Sequence, residues 1–318
     1  MSTEARYTYH DLKPGLAEMT AEVLAGLTSS PRAILPKYFY DETGAALFEA
    51  ITRLPEYYVT RTEMAIFDAH LPDVARNLGS DVCVVEYGSG SSLKIRKLFE
   101  SLVPRAYVPV DISSEQLADH ASRLHQDFPD IAVQPVCADF TLPLELPDTV
   151  EALPKLAFFP GSSIGNFEPA DAIQFLHNIR RTVGEDGALL IGVDRKKPAA
   201  VLEQAYDDAQ GVTAQFNLNV LSHLNRELGA DFKPAQFTHV ARYNQTLGCV
   251  QMFLRSELEQ VVCIAGHRIR LRQGEEIHTE NSFKYEPEEF LRMAGAAGFA
   301  ERASFSDERG WFTVYLLV

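Results

Sequence analysis

Cysteine, tryptophan and positive charge are all scarce in this 318-residue chain, and each shortage excludes something. The four cysteines (Cys83, Cys137, Cys249 and Cys263) never fall in C-x-x-C spacing, which argues against the common zinc and thioredoxin-like arrangements. Each lies beside an apolar residue in a strand-like run, so all four are expected as buried, reduced thiols of a cytoplasmic protein. The nine histidines are scattered and none forms H-E-x-x-H. His120 and His125, five apart, fall on different helix faces, so no metal is expected. No run of about 18 apolar residues is present, so no membrane span is expected. Met1–Tyr9 lacks an apolar segment, so no signal peptide is expected. Lys+Arg 29 against Asp+Glu 44 leaves a net charge of −15. Such a surface repels phosphate backbones, so a nucleic-acid partner is not expected.

What is present is an ordinary globular composition, 46% hydrophobic and 23% charged, at a length that suggests about two domains. A strand–helix rhythm starts near residue 80. Val82–Tyr87 reads as a buried strand, broken by Gly88-Ser89-Gly90, with a helix from about Ser92 to Leu102. Ala106–Val110 reads as a second strand ended by Asp111, with Pro109 its weak point. Ser113 and Gln116 have the spacing of a capping box, with Leu117, Ala121 and Leu124 on one helix face behind it. Ile131–Ala138 is a third strand ended by Asp139. Leu156–Phe159 is a fourth, broken at Pro160-Gly161. Pro169 opens a helix, and Leu189–Asp194 is a fifth strand. Alternation of this kind predicts βαβ units and a mostly parallel sheet, with ligands outside the strands' carboxyl ends. After residue 200 the pattern changes. Gln204–Leu228 reads as mostly helical, with Asn217 and Asn219 ill placed for it. Cys249–Leu254 and His267–Leu271 read as antiparallel strands, and Trp311–Val318 as a closing strand. A second lobe built from the first 60 residues and the region after 200 is expected.

The strand-end residues suggest a nucleoside. Glycines at 88 and 90 let backbone approach a ligand closely. Asp111 follows about 20 residues on, the offset at which an acid meets ribose hydroxyls. A dinucleotide fingerprint needs a third glycine where this chain has Leu93. Asp139 can accept from an adenine amine and Phe140 can cover its face. These elements suit S-adenosylmethionine, its carboxylate near a helix N-terminus with Lys94 as counter-charge. Each has a plainer reading: a tight turn for the G-x-G, helix caps for the aspartates, a solvated charge for Lys94. The three strand-end signals in order favour cofactor binding.

Longer motifs carry a resemblance. Leu35-Pro36-Lys37-Tyr38-Phe39-Tyr40-Asp41, Ile51-Thr52-Arg53-Leu54-Pro55-Glu56-Tyr57-Tyr58, Gly161-Ser162-Ser163-Ile164-Gly165-Asn166, Ala205-Tyr206-Asp207-Asp208 and Thr279-Glu280-Asn281-Ser282-Phe283-Lys284 resemble, in order, the L-histidine Nα-methyltransferases of ergothioneine biosynthesis. The resemblance implies an α/β fold. Its core would be a class I S-adenosylmethionine-dependent methyltransferase domain (Rossmann-like, mostly parallel sheet) over 63–198 and 286–318. A second, substrate-binding α+β domain would span 1–62 and 199–285. It implies Tyr40, Gly88, Gly90, Lys94, Asp111, Asp139, Phe140 and Gly161 at the cofactor. Tyr57, Asn166 and Tyr206 would hold the amino-acid backbone, with Asn166 and Tyr57 orienting the amine. Glu280 and Ser282 would read the imidazole, with Met252 packing nearby. The implied reaction moves three methyl groups to the α-amine of L-histidine, giving the betaine hercynine, in a cytoplasmic monomer.

The residue types suit that chemistry. The Asn166 amide can donate to a carboxylate and accept from an amine, and Glu280 can accept an imidazole N–H. Alternation along a strand turns Asn281 away from its neighbours Glu280 and Ser282. Tyr40 or Phe48 could face a methylammonium by cation–π contact. Taken singly, the tyrosines could be core residues, Asn166 a helix cap, Glu280 a solvated charge and Met252 a packing residue. Other readings are an N-methyltransferase of another aromatic amino acid such as tryptophan, against which Glu280 argues, and a nucleoside-binding protein without turnover.

Overall fold

The computed structural model describes residues 8–12, 15–78, 81–90 and 93–318. Most of the Met1–Tyr9 stretch and the expected helix start at Ser92 lie outside the described residues. In chain order the strands are β1 (His10–Leu12), β2 (Arg32–Ala33), β3 (Cys83–Tyr87), β4 (Ala106–Asp111), β5 (Ala132–Val133), β6 (Val136–Ala138), β7 (Lys155–Phe159), β8 (Ala188–Asp194), β9 (Phe237–Asn244), β10 (Cys249–Ser256), β11 (Gln260–Ile264), β12 (His267–Leu271), β13 (Glu276–Phe283), β14 (Glu301–Ser306) and β15 (Phe312–Leu317). The helices are α1 (Leu16–Thr28), α2 (Glu42–Ile51), α3 (Tyr58–Leu78), α4 (Leu93–Ser101), α5 (Ser114–Asp127), α6 (Pro169–Val183), α7 (Ala199–Tyr206), α8 (Val212–Leu228) and α9 (Pro287–Ala296). They fall into two compact units. Unit 1 comprises the described residues of 1–13, 59–196 and 284–318; unit 2 comprises those of 14–58 and 197–283.

Unit 1 is an α/β layer structure around one sheet in the order β1-β6-β4-β3-β7-β8-β15-β14, with β5 pairing β4. The strands from β6 to β8 run parallel, and β15 and β14 close one side antiparallel. β3 and β8 are buried along their whole length, as expected of strands covered on both faces. Pro109 is tolerated in central β4 for a local reason. β4 pairs Ala132–Val133 through residues 106–107 and Val136–Cys137 through 110–111, so the proline's missing N–H coincides with the break between β5 and β6. That break, at Gln134-Pro135, also splits the single third strand expected from the sequence.

Three further expectations need correction. The chain's first described segment does not join the second lobe: His10–Leu12 adds to the large sheet as a parallel edge strand on β6. The Ser113 side chain makes no cap hydrogen bond; its backbone N–H instead donates to the Asp111 carboxylate at 2.9 Å. The segment 204–228 is two helices, because Asp207–Gly211 turns the chain between α7 and α8. There the Asp208 carboxylate accepts the Val212 and Thr213 N–H groups, satisfying orphan donors of the helix N-terminus.

Unit 2 holds a four-stranded sheet, β2-β13-β10-β9, and a separate β11–β12 hairpin. α2 and α8 are joined through Asp41. Its carboxylate caps α2 at the Gly44 N–H and accepts from Asn219 Nδ2, both at 2.7 Å, and pairs with Arg226. This explains Asn219, which looked out of place in a helix. The hairpin turns at Ala265 and Gly266, both with positive φ, the backbone a two-residue turn needs to match strand twist. Its apolar residues Val262, Ile264, Ile269 and Leu271 are buried, and alternation leaves Cys263 exposed. The expectation of four buried thiols therefore holds for Cys83, Cys137 and Cys249 only. Among the described residues no helix is long and apolar enough to cross a membrane, and no cluster of potential metal ligands occurs.

Candidate active site

The sheet order of unit 1 gathers the first set of candidate residues. From β3 the chain goes to β4 and then β6 on one side, and afterwards to β7 on the other. The strand order thus reverses beside β3, and ligands of open α/β sheets sit at the carboxyl ends of such a switch point. Gly88 ends β3, Asp111 ends β4, Asp139 follows β6 and Gly161 follows β7, on neighbouring parallel strands. Four residues distant in sequence therefore share one end of the sheet.

Gly88 and Gly90 are exposed, and Gly88 has φ of +73°, a conformation that favours glycine. A Cβ there would touch the Phe140 ring at 3.7 Å. Phe140 is held edge-on by Tyr87 and Phe159, with ring centroids 6.3 and 6.1 Å away. Asp139 Oδ1 accepts the Thr141 N–H at 3.0 Å and its hydroxyl at 2.6 Å, which orients the carboxylate. Burial pushes the Asp111 carboxyl up, against the pull of the Ser113 N–H it accepts. An open glycine turn, two oriented strand-end carboxylates and a braced aromatic ring are the donor and acceptor set that a nucleoside with an amino-acid tail needs.

Lys94, expected as a counter-charge to the cofactor carboxylate, has a carboxylate partner within the protein. Its ammonium lies 2.7 Å from Oε2 of Glu63, a carboxylate with no exposed surface. Glu63 also accepts the Gly161 N–H, at 2.9 and 3.0 Å to its two oxygens. Sequence reading missed Glu63: a single acid on the apolar side of α3 gives no signal. Glycine at 192 makes room for it, since a Cβ there would lie 2.0 Å from Glu63 Oε1.

Beyond Gly161 the backbone turns sharply. Ser162 adopts φ of +59°, and its Oγ accepts the Asp194 N–H at 2.8 Å. A single 3-10 turn, Ser163–Asn166, then carries Asn166. Asp194 forms a fully buried ion pair with Lys284 at 2.9 Å, so both arms of this turn rest on buried charge.

Unit 2 gathers the second set. The Tyr206 hydroxyl and Ser282 Oγ are 2.7 Å apart, and the Tyr206 and Tyr57 rings meet edge to face at 6.2 Å. Phe48 continues the row, 6.3 Å from Tyr57 and 5.8 Å from Tyr40. Phe216, unnoticed in the sequence, packs 5.8 Å from Tyr40 and 6.0 Å from Phe48. Glu280 and Ser282 occupy alternate positions of β13, and Glu280 lies opposite Met252 of β10. Tyr57, Tyr206, Met252, Glu280 and Ser282 are all buried. The β10–β13 register shifts just past this pair, between Met252 and Phe253, so Thr279 is extra. Bulges often re-aim side chains beside functional sites. Asn281 points the other way, its Oδ1 accepting from Gln251 Nε2 at 3.1 Å and His278 Nε2 at 2.9 Å. The structure thus brings Tyr40, Tyr57, Tyr206, Met252, Glu280 and Ser282 together in one unit and Gly88, Gly90, Lys94, Asp111, Asp139, Phe140, Gly161 and Asn166 in the other.

The sequence model of a protein family described as histidine-specific, SAM-dependent methyltransferases matches residues 19–318. The histidine N-alpha-methyltransferase of Mycolicibacterium smegmatis is 38% identical over 304 residues, 93% of this chain and 94% of that protein. Its namesake from Mycobacterium tuberculosis is 38% identical over 309 residues, 95% of each chain. Ergothioneine biosynthesis protein 1 of Neurospora crassa is 30% identical over 281 residues, 85% of this chain and 31% of that longer protein. With a family match over nearly its whole length and the switch-point geometry to go with it, this chain belongs to the SAM-dependent, histidine-specific methyltransferase family.

Proposed function

We propose that the protein transfers three methyl groups from S-adenosylmethionine to the α-amine of L-histidine, giving hercynine in ergothioneine biosynthesis. The observation that carries this reading is the paired set of buried polar groups on β13. Glu280 and Ser282 share one strand face opposite Met252, and Ser282 is hydrogen-bonded to Tyr206. A buried carboxylate and hydroxyl so placed suit the two ring nitrogens of an imidazole. An apolar side chain offers these groups no hydrogen bond and an indole offers a single N–H, so an imidazole with two ring nitrogens matches them better.

When bound, S-adenosylmethionine supplies a sulfonium methyl open to in-line displacement by the amine lone pair. Gly88, Gly90, Lys94, Asp111, Asp139, Phe140 and Gly161 of unit 1, with Tyr40, are the residues assigned to hold it. Tyr57, Tyr206 and Asn166 are assigned to the amino-acid backbone. The Asn166 amide donates to the carboxylate and accepts from the amine, which presents its lone pair to the methyl. Rate enhancement would then come mainly from the orientation that these residues impose on the amine. The aromatic row Tyr40–Phe48–Tyr57 offers ring faces and edges to a growing methylammonium. The nitrogen's protons leave to water between transfers, and the quaternary product has no lone pair, so transfer stops at three. The reading also has the protein act in the cytoplasm as a monomer with no nucleic-acid partner, in keeping with three buried free thiols and a net charge of −15.

The test is turnover with S-adenosylmethionine and each common amino acid, read by mass spectrometry. Histidine gaining one, two and three methyl groups, with tryptophan and tyrosine inert, supports the proposal. A methylated product from a different amino acid alone overturns the imidazole assignment.

A further inference from the structure

One buried imidazole in unit 2 has no part in the reaction as described, yet it is tied to a residue that does. His239 of β9 is 9% exposed. Its Nε2 lies 2.9 Å from the backbone oxygen of Tyr206, and its Nδ1 lies 2.8 Å from Nδ2 of Asn217, which has no exposed surface. Asn217 Nδ2 also donates to the Phe253 carbonyl at 3.1 Å.

These contacts fix every proton. A carbonyl only accepts, so the Phe253 oxygen sets the Asn217 amide with its NH2 toward β10 and toward His239. Nδ1 must then be a lone pair, and Nε2 must carry the hydrogen it gives to Tyr206. The imidazole is neutral and of one tautomer. Protonating Nδ1 would set an N–H against the Asn217 amide hydrogens. Reversing the amide would set its oxygen against the Phe253 carbonyl.

Tyr206 is the last residue of α7, and its carbonyl is one of those that a helix end leaves without an intrahelical partner. His239 supplies that partner. In doing so it links the end of α7, through Asn217 of α8, to the two adjacent strands β9 and β10. One residue thus has its backbone held by His239 and its hydroxyl on Ser282 Oγ. The next five residues, Asp207–Gly211, turn the chain into α8. We propose that His239, as the neutral Nε2–H tautomer, is a positioning residue that sets the Tyr206 hydroxyl against Ser282 and so tunes recognition of the amino-acid substrate. This rests on the histidine-methylating reading above.

The experiment compares His239→Asn and His239→Gln by steady-state kinetics with histidine, alone and combined with Tyr206→Phe, and by calorimetric binding of S-adenosylhomocysteine. An asparagine amide keeps the Nδ1 position and cannot reach the Tyr206 carbonyl; a glutamine amide can. The expected result for His239→Asn is a rise of about tenfold in KM for histidine, the effect of about one hydrogen bond, with kcat and S-adenosylhomocysteine affinity within about twofold of the unsubstituted enzyme. His239→Gln restores KM to within about threefold. In the Tyr206→Phe background His239→Asn adds less than about twofold, because both act through the same hydroxyl. Additive effects, equal damage from Gln and Asn, no damage from Asn, or a parallel loss of S-adenosylhomocysteine affinity would each overturn the proposal. An unsubstituted enzyme that binds S-adenosylhomocysteine but never methylates histidine overturns the proposed function, and this inference with it.

Discussion

Replacing Glu63 by alanine tests the construction of the cofactor end of unit 1. The Glu63 carboxylate has no exposed surface and accepts from the Gly161 N–H and from Lys94, whose side chain is 15% exposed. Removing it leaves a cation with little access to water and an N–H with no acceptor. Breaking a buried pair by deleting one partner typically costs about 3–5 kcal/mol. For a unit of this size each kcal/mol moves the melting temperature by about 2–4 °C, so the midpoint should fall by roughly 6–20 °C. The assay is calorimetric melting at fixed pH without S-adenosylmethionine or its product, so that ligand binding does not contribute. Lys94→Met, which keeps length and removes charge, should also destabilise, by stranding the carboxylate. The double variant carries neither charge and should be more stable than the two single losses sum to, with a coupling of about 1–3 kcal/mol. A fall below about 2 °C for Glu63→Ala, or additive losses within about 0.5 kcal/mol, would refute the idea that this pair braces the turn after β7.

Gly192→Ala places a Cβ 2.0 Å from Glu63 Oε1 and 2.9 Å from the Phe312 ring, so overpacking should lower stability by about 1–3 kcal/mol in urea unfolding; an unchanged midpoint would contradict the packing described. Burial pushes the Glu86 carboxyl up to about 8 from its usual 4.5, against the pull of the Tyr107 hydroxyl and the Lys94 ammonium. The native state then holds a proton that the unfolded chain releases, so this contribution to stability is complete below about pH 4.5 and is lost as pH rises toward 8. Glu86→Gln should therefore flatten the decline of unfolding free energy, read from urea melts, between pH 5 and 8 relative to the unsubstituted protein, by up to about 1.4 kcal/mol per pH unit. Parallel pH profiles for the two proteins would show that Glu86 is already ionised at neutral pH.

The βα rhythm of residues 82–194 was readable because buried parallel strands are short apolar runs ended by glycine or aspartate, a purely local signature. The same locality exposed Gly88, Asp111 and Asp139, which sit where strands stop. The long motifs containing Tyr57, Asn166, Tyr206, Glu280 and Ser282 marked those residues by their order along the chain, and strand alternation turned Asn281 the right way without a structure. What the sequence could not supply was pairing across distance. Glu63 is close to Lys94 and Gly161 only because α3 crosses beside β7 and β8. His239 reaches Tyr206 only because β9 pairs β10 next to α7. Pro109 is harmless only because β5 ends where it begins to matter. The first described strand joins the large sheet through backbone hydrogen bonds that no side-chain pattern records. Periodicity reports which face of an element is buried. Which buried charge meets which partner depends on how elements far apart in sequence pack, and in this chain that packing decided the bracing of the candidate residues within each unit.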